Sequence, residues 1–163
     1  MASSAYLMLK GQKQGDIQGS VTHKGSEGAI LVHGFQNAIV SPRDPASGLP
    51  TGKRQHQPIV IIKEIDKSSP RLWSALVSNE NLTLWVLNVW TPSTGAAPGI
   101  DKNVYRVELT NANIASMEET MADNSITASA SLPVHERVTF TYQKITWTWL
   151  EGAITATDDW NAV

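Results

Sequence analysis

The chain has 163 residues, a length that fits one domain (1–163) and is enough to bury a real core. Thirteen Lys and Arg against fifteen Asp and Glu leave a formal charge of −2, which excludes a basic nucleic-acid binder and an acidic tail. Cysteine is absent, so disulfides and thiolate metal sites are excluded, and no apolar run approaches the roughly 18 residues of a membrane span.

The N-terminus, MASSAYLMLKGQKQG, lacks a positive n-region and a long apolar run, so no signal peptide is expected and any export avoids the general secretory route. Residues 6–9 read as a short apolar strand closed by Gly11 and Gly15, and residues 29–35 as a second strand, apolar on both faces apart from His33. Residues 41–57 (SPRDPASGLPTGKRQHQ) change character. Pro42, Pro45, Pro50, Gly48 and Gly52 rule out a long helix or a central strand. Loops of this length are uncommon in compact domains. The prolines and the charges on Arg43, Asp44, Lys53 and Arg54 suit an ordered projecting arm; a flexible surface loop is the plainer reading.

Residues 58–62 (PIVII) form a buried-type strand, and residues 66–79 the one convincing helix. Ser68 or Ser69 can cap it and Pro70 suits its first turn. Leu72, Ala75 and Leu76 mark its apolar face, with Trp73 packing against the sheet. Residues 82–90 (LTLWVLNVW) are apolar on both faces and predict a strand covered on both. Residues 91–99 are a turn-rich break, 104–109 a strand that can extend through Ile114, and 121–131 a polar loop.

The last stretch is the richest. Val138, Phe140 and Tyr142 alternate with polar residues at period two; Ile145, Trp147 and Trp149 then continue on odd numbers. The slip at Gln143–Lys144 either needs a bulge or turns the apolar set to a second packing surface, as in a part made to be assembled. Several strands and one helix predict a mainly β fold, an antiparallel β-barrel or two-sheet sandwich with one short flanking α-helix.

Signs of chemistry are weak. Residues 48–54 imitate a phosphate-binding loop, but the glycines stand one residue too close and Arg54 occupies the magnesium-binding Ser or Thr position. His23, His33, His56 and His135 show no metal-ligand spacing. Glu64 and Asp66 share a face only if their strand persists to Asp66; a hydrolase using them has no nucleophile or paired motif behind it. Trp85, Trp90, Trp147, Trp149 and Trp160 suit either core and interface packing or a sugar-binding platform. A monomeric carbohydrate-binding β-sandwich is therefore the alternative to an assembling subunit.

Order and spacing along nearly the whole length carry a resemblance. Its pieces are Tyr6-Leu7, Gly15-Asp16-Ile17 and Gly19-Ser20; Pro42, Asp44, Gly48, Gly52, Arg54, His56 and Pro58; Ile62-Lys63-Glu64-Ile65-Asp66 and Ser68-Ser69-Pro70; then Glu136, Val138, Tyr142, Lys144-Ile145-Thr146-Trp147 and Asp158-Asp159-Trp160. In these the chain resembles Hcp, the tube protein of bacterial type VI secretion systems, in its long-looped branch. The resemblance implies a β-barrel protomer that forms six-membered rings stacked head to tail into a hollow tube. A contractile sheath drives the tube outward behind a trimeric VgrG-type spike, and effectors can ride in the lumen. It also implies no catalysis, no cofactor, no nucleic acid and no membrane insertion. The protein would assemble in the cytoplasm and leave through the machine it builds. It implies that the arm reaches the adjacent ring, with Pro42, Asp44, Gly48, Gly52, Arg54 and His56 as its key positions. Tyr142, Ile145, Trp147, Trp149 and Trp160 are the expected core or ring-interface packing residues. The chain ends three residues beyond Trp160 and so looks like the plain form without a toxin domain. Charged residues at 17%, against about 25% in an average domain, suit a surface that neighbours cover.

Overall fold

The computed structural model describes residues 3–93 and 100–162. In chain order its elements are β1 (Ser4–Gly11), β2 (Gly15–Ile17), β3 (Ile30–Val32), β4 (Gly34–Gln36), β5 (Ile39–Val40), β6 (Gln55–His56), β7 (Ile59–Glu64), α1 (Ser69–Val77), β8 (Leu82–Pro92), β9 (Asp101–Thr110), β10 (Asn113–Thr120), β11 (His135–Thr141), β12 (Lys144–Trp149) and β13 (Ile154–Asp159). Seven strands form the wide sheet, in the order β13-β12-β9-β8-β1-β2 with β3 also on β1; the narrow sheet is β10-β11-β7-β4, and β5-β6 is a separate two-stranded ribbon. The pairings are antiparallel. Among the described residues no ladder joins the wide sheet to the narrow one, so the architecture is the two-sheet sandwich rather than a closed barrel.

Alternation builds the core. Leu7, Leu87, Val107 and Trp147 line up across the wide sheet, as do Leu109 and Ile145. Ile59 and Ile61 pair with Phe140 and Val138 in the narrow sheet. The two rows meet face to face, with Trp85 edge-on to Phe140 at 5.6 Å between ring centres.

Three predicted strands turn out to be pairs, each broken where the chain crosses between sheets. Residues 29–35 split at His33 into β3 of the wide sheet and β4 of the narrow one. The run through Ile114 stops at Asn111, whose φ of 51° is a left-handed conformation that Asn tolerates. The slip at Gln143–Lys144 is the third crossing. Val138 and Phe140 point inward from the narrow sheet and Ile145 points inward from the opposite one, all at most 1% exposed. The apolar set changes parity because the chain changes sheets, and both halves serve one core rather than two packing surfaces. β8 is also corrected: Trp85 and Leu87 are buried, but Leu84 on the other face is 39% exposed. The break predicted at 91–99 begins later, since β8 runs to Pro92; residues 94–99 of it lie outside the described residues.

The helix starts at Ser69 with Ser68 as N-cap and Pro70 in its first turn, and buries Leu72 and Ala75. Neither serine makes the expected capping bond. Ser68 N–H donates to Asp66 Oδ1 (2.8 Å), while Ser69 Oγ donates to Glu136 Oε2 (2.9 Å) and accepts from Lys63 Nζ (3.2 Å). Lys63 and Glu136, register partners on β7 and β11, form a buried ion pair. This cluster ties the helix to the narrow sheet. Trp73 is half-buried as expected, and its Nε1 donates to Glu119 Oε1 at 2.7 Å.

Candidate functional site: the projecting arm and its anchor

Residues 41–57 are an ordered arm. Its base is the β5–β6 ribbon, pairing Ile39 with His56 and Val40 with Gln55; an isolated bridge joins Arg43 to Pro50. Thr51 N–H donates to the Pro42 carbonyl (3.0 Å) and Asp44 N–H to the Leu49 carbonyl (2.8 Å). At the tip Asp44 Oδ2 accepts from Ser47 N–H (2.8 Å) and Ser47 Oγ (2.6 Å), and the serine hydroxyl chiefly holds this carboxyl below the usual range. Gly48 has φ +72°, where a side chain is strained. Gly52 does not occupy the left-handed region. A Cβ at either glycine would meet nothing within 4 Å, and Leu49 is 63% exposed, so the tip stands clear of its own chain.

The base is held firmly. Arg54 grips Asp158 with both arms of its guanidinium, Nε to Oδ2 at 2.5 Å and Nη2 to Oδ1 at 2.6 Å. His56 Nε2 lies 2.7 Å from the same Oδ2, and its Nδ1 lies 2.8 Å from the Tyr142 hydroxyl. An ionised Asp158 only accepts, so Nε2 carries a proton toward it, and in that tautomer Nδ1 accepts from the Tyr142 O–H. Trp160 covers the cluster, stacked on His56 at 5.3 Å and edge-on to Tyr142 at 4.8 Å. The Arg54 hydrogen bonds bring the Asp158 pKa down to about 2, and burial pushes the Tyr142 phenol up to about 12. Asp158 in turn raises the Arg54 pKa through the same contact.

A Tyr–His–Asp chain has the connectivity of a nucleophile relay. Here it is closed to substrate: Tyr142 is 5% and His56 7% exposed, and the phenol stays protonated. The relay is a clamp. Glu64 and Asp66 do not form a carboxylate pair either, because β7 ends at Glu64. Glu64 Oε1 lies 3.2 Å from His33 Nε2, whereas Asp66 Oδ1 lies 3.2 Å from Lys63 Nζ. Among the described residues no group of three or more His, Cys, Asp or Glu is placed to hold a metal ion.

The structure thus divides the expected site residues in two. Arg54, His56, Tyr142 and Trp160 meet in the anchor; Pro42, Asp44, Gly48 and Gly52 lie outward along the arm. The carboxylate that Arg54 holds is in its own chain, 104 residues away. Asp158 was recognised only as part of a closing motif; its adjacency to a conspicuous arginine-bearing arm is a long-range contact with no local signal. Ile145 is fully buried, and Trp147 is half-buried with Nε1 donating to Asn37 Oδ1 at 2.9 Å, a partner the sequence did not suggest. Trp85 is in the core and Trp90 packs edge-on against Tyr6 and His23, so these two cannot belong to a sugar platform. Trp149 is 45% exposed beside Ile154, 68% exposed, on the edge strand β13.

Comparison with known proteins gives one consistent answer. The family model described as "Type VI secretion system effector, Hcp" matches residues 6–149. The "Major exported protein" of Pseudomonas aeruginosa strain PAO1 is 37% identical over 171 residues, covering 99% of this chain and 98% of the relative. An Hcp protein of the E. coli EAEC 042 pathovar superposes with a TM-score of 0.84 at 31% identity, covering 98% of this chain and 99% of that one. The secreted protein Hcp3 from Pseudomonas aeruginosa gives 0.79 at 30% identity, covering 99% and 100%. The chain belongs to the Hcp family, the secreted structural tube proteins of type VI secretion systems.

Proposed function

We propose that this chain, as a single domain, is the subunit of the type VI inner tube. It closes into hexameric rings that stack head to tail; a contractile sheath expels the tube behind a VgrG-type spike, and effectors travel in its lumen. Its work is mechanical and needs no cofactor. It is made and assembled in the cytoplasm and leaves with the tube; a relative matched over 98% of its length carries the name of an exported protein.

The observation that carries this reading is the arm. A ribbon pinned at its base by a bidentate ion pair and an aromatic lid, with an exposed Leu49 and open space beside Gly48 and Gly52 at its tip, is preorganised for a contact outside its own chain. Trp149 at the end of β12 and its register partner Ile154 on the edge strand β13 supply apolar surface for a neighbour within the ring.

Light scattering on the purified protein, with negative-stain images of the same peak, tests it. The expected result is a species six times the 17.7 kDa chain mass, seen as rings with a central hole. A compact monomer at high concentration would overturn the tube reading.

A further inference from the structure

One row of the narrow sheet carries more acid than it can neutralise. The register sets Glu119 of β10 beside Glu136 of β11, and Glu136 beside Lys63 of β7. The helix reaches this row twice: Ser69 Oγ donates to Glu136 Oε2, and Trp73 Nε1 donates to Glu119 Oε1. Lys63 Nζ also serves Glu136 Oε2 and stands 3.2 Å from Asp66 Oδ1, so three carboxyls share one ammonium. Among the described residues no other charge faces the row. The only charged residue of α1 is Arg71, which borders a separate cleft with Lys67, Asp16 and Gln18. Glu118 and Arg137 pair with each other one residue along, and His135 pairs with Glu64 on the other side; alternation turns all four to the opposite face.

The Glu136 side chain is fully buried, and its two oxygens are unequal. Oε2 accepts from both Lys63 and Ser69, whereas Oε1 is buried and meets no donor in the chain. The group beside it is the Glu119 carboxyl. A buried acceptor without a donor is costly, and adjoining carboxylates resist being ionised together. One proton removes both faults, because on Oε1 it makes Glu136 a donor to Glu119. The two acids respond as donor and acceptor of such a proton. Burial pushes Glu136 up, with the Glu119 contact adding to the rise against Lys63 and Ser69. The Trp73 bond, followed by the Glu136 bond, holds Glu119 down.

We propose that Glu119 and Glu136 hold a single proton between them, and that this proton is the catch fixing Trp73 of α1 on β10. Glu119 is exposed and gives the proton a way out to water. When it leaves, repulsion from the Glu136 carboxylate turns the Glu119 side chain toward solvent, and Trp73 loses its acceptor. The helix stays in place, since Leu72 and Ala75 remain buried and Ser69 keeps Glu136 Oε2. Because the folded Glu136 pKa is raised, the catch is closed in acid and opens as pH rises through that pKa. All its parts lie within one chain, so it operates with or without assembly.

The test replaces the six tryptophans by 5-fluorotryptophan. The Trp73 fluorine resonance, identified by its loss in Trp73→Phe, is followed from about pH 4 to 9. In the parent it should move in one step with a midpoint above 4.5, the ordinary glutamate value. Glu119→Gln supplies permanently what the proton supplies: its amide donates to Glu136 Oε1 while its carbonyl accepts from Trp73. Its Trp73 resonance should stay at the parent's acid position throughout. Glu119→Ala should hold the alkaline position throughout. Residue 119 is exposed, so neither substitution threatens folding. A parent resonance with no step above pH 4.5 overturns the catch. So does a step that persists in either variant, since the titrating group then lies elsewhere.

Discussion

Lys63 and Glu136 meet inside the fold, their side chains 1% and 0% exposed, whereas Arg54 and Asp158 meet at its rim, 29% and 23% exposed. The two ion pairs respond to their surroundings in opposite directions. Burial raises the Glu136 pKa despite Lys63, with the Glu119 carboxyl adding to the rise. The rim lets the Arg54 hydrogen bonds win, and Asp158 falls to about 2. A buried pair recovers little of its desolvation cost yet becomes indispensable once its partners are in place. A rim pair stays readily ionised, which suits a clamp on an arm. The inner pair therefore belongs to the fold and the outer pair to the arm, and substitutions can separate them.

The largest effect is expected at the inner pair. Lys63→Ala leaves the Glu136 carboxylate buried without its cation and is expected to lower the unfolding free energy by about 3–5 kcal/mol in urea titration. Replacing both partners by Lys63→Met and Glu136→Leu should recover most of that loss. If the single variant is as stable as the parent, the distinction between the two pairs fails.

At the outer cluster His56→Ala removes a side chain held by Tyr142, Asp158 and Trp160. A loss of about 2 kcal/mol is expected from the cavity and the two lost hydrogen bonds. Its distinguishing mark is local: amide exchange should quicken through residues 41–57 while β7 and β11 stay protected. Uniform loss of protection would make His56 a core residue and not an anchor.

Acid sharpens the contrast further. Asp158 has a folded pKa of about 2 against an ordinary 3.8, so its stabilisation is present above the unfolded value and is lost as pH falls from about 4 to 2. Glu136 has the opposite sign. Its folded pKa is raised above 4.5, so protonation favours the folded state, and this contribution is complete once pH drops below the unfolded value. Asp158→Asn should flatten the acid limb between about pH 4 and 2, with Glu136→Gln leaving that limb in place. Stability followed by fluorescence across this range checks both, and an unchanged limb in Asp158→Asn would remove the rim pair from the explanation.

The three crossings show how much of this was legible beforehand. The parity change between Tyr142 and Ile145 was visible as a slip, because alternation is a local property of neighbouring residues. Its meaning was not, since a bulge, a second surface and a change of sheet all shift parity by one. Only the pairing of β12 with β9 and β13, and of β11 with β7, decides among them. The arm was legible for a similar reason: prolines and glycines exclude other structures locally. Its anchor was hidden because Arg54 and Asp158 lie at distant points of the sequence, and nothing near either names the other.

The smallest predicted effect compares the arm's two glycines, which look equivalent in the sequence. Gly48 sits at φ +72° and Gly52 does not, although a Cβ at either would enter open space. Gly48→Ala therefore meets only backbone strain, and about 1 kcal/mol of it, the usual penalty for a non-glycine residue in the left-handed region. Gly52→Ala meets neither strain nor clash and is expected to be neutral or slightly stabilising through the unfolded chain. Because the arm is pinned at Arg54 and His56, the strain at residue 48 should appear as a shifted tip and not as global unfolding. The chemical shifts of Asp44, Ser47 and Leu49 should move while those of Trp160 and Tyr142 stay fixed. Equal behaviour of the two alanine variants would mean that the arm's tip is not held in the conformation described, and that its readiness to meet a partner comes from its anchor alone.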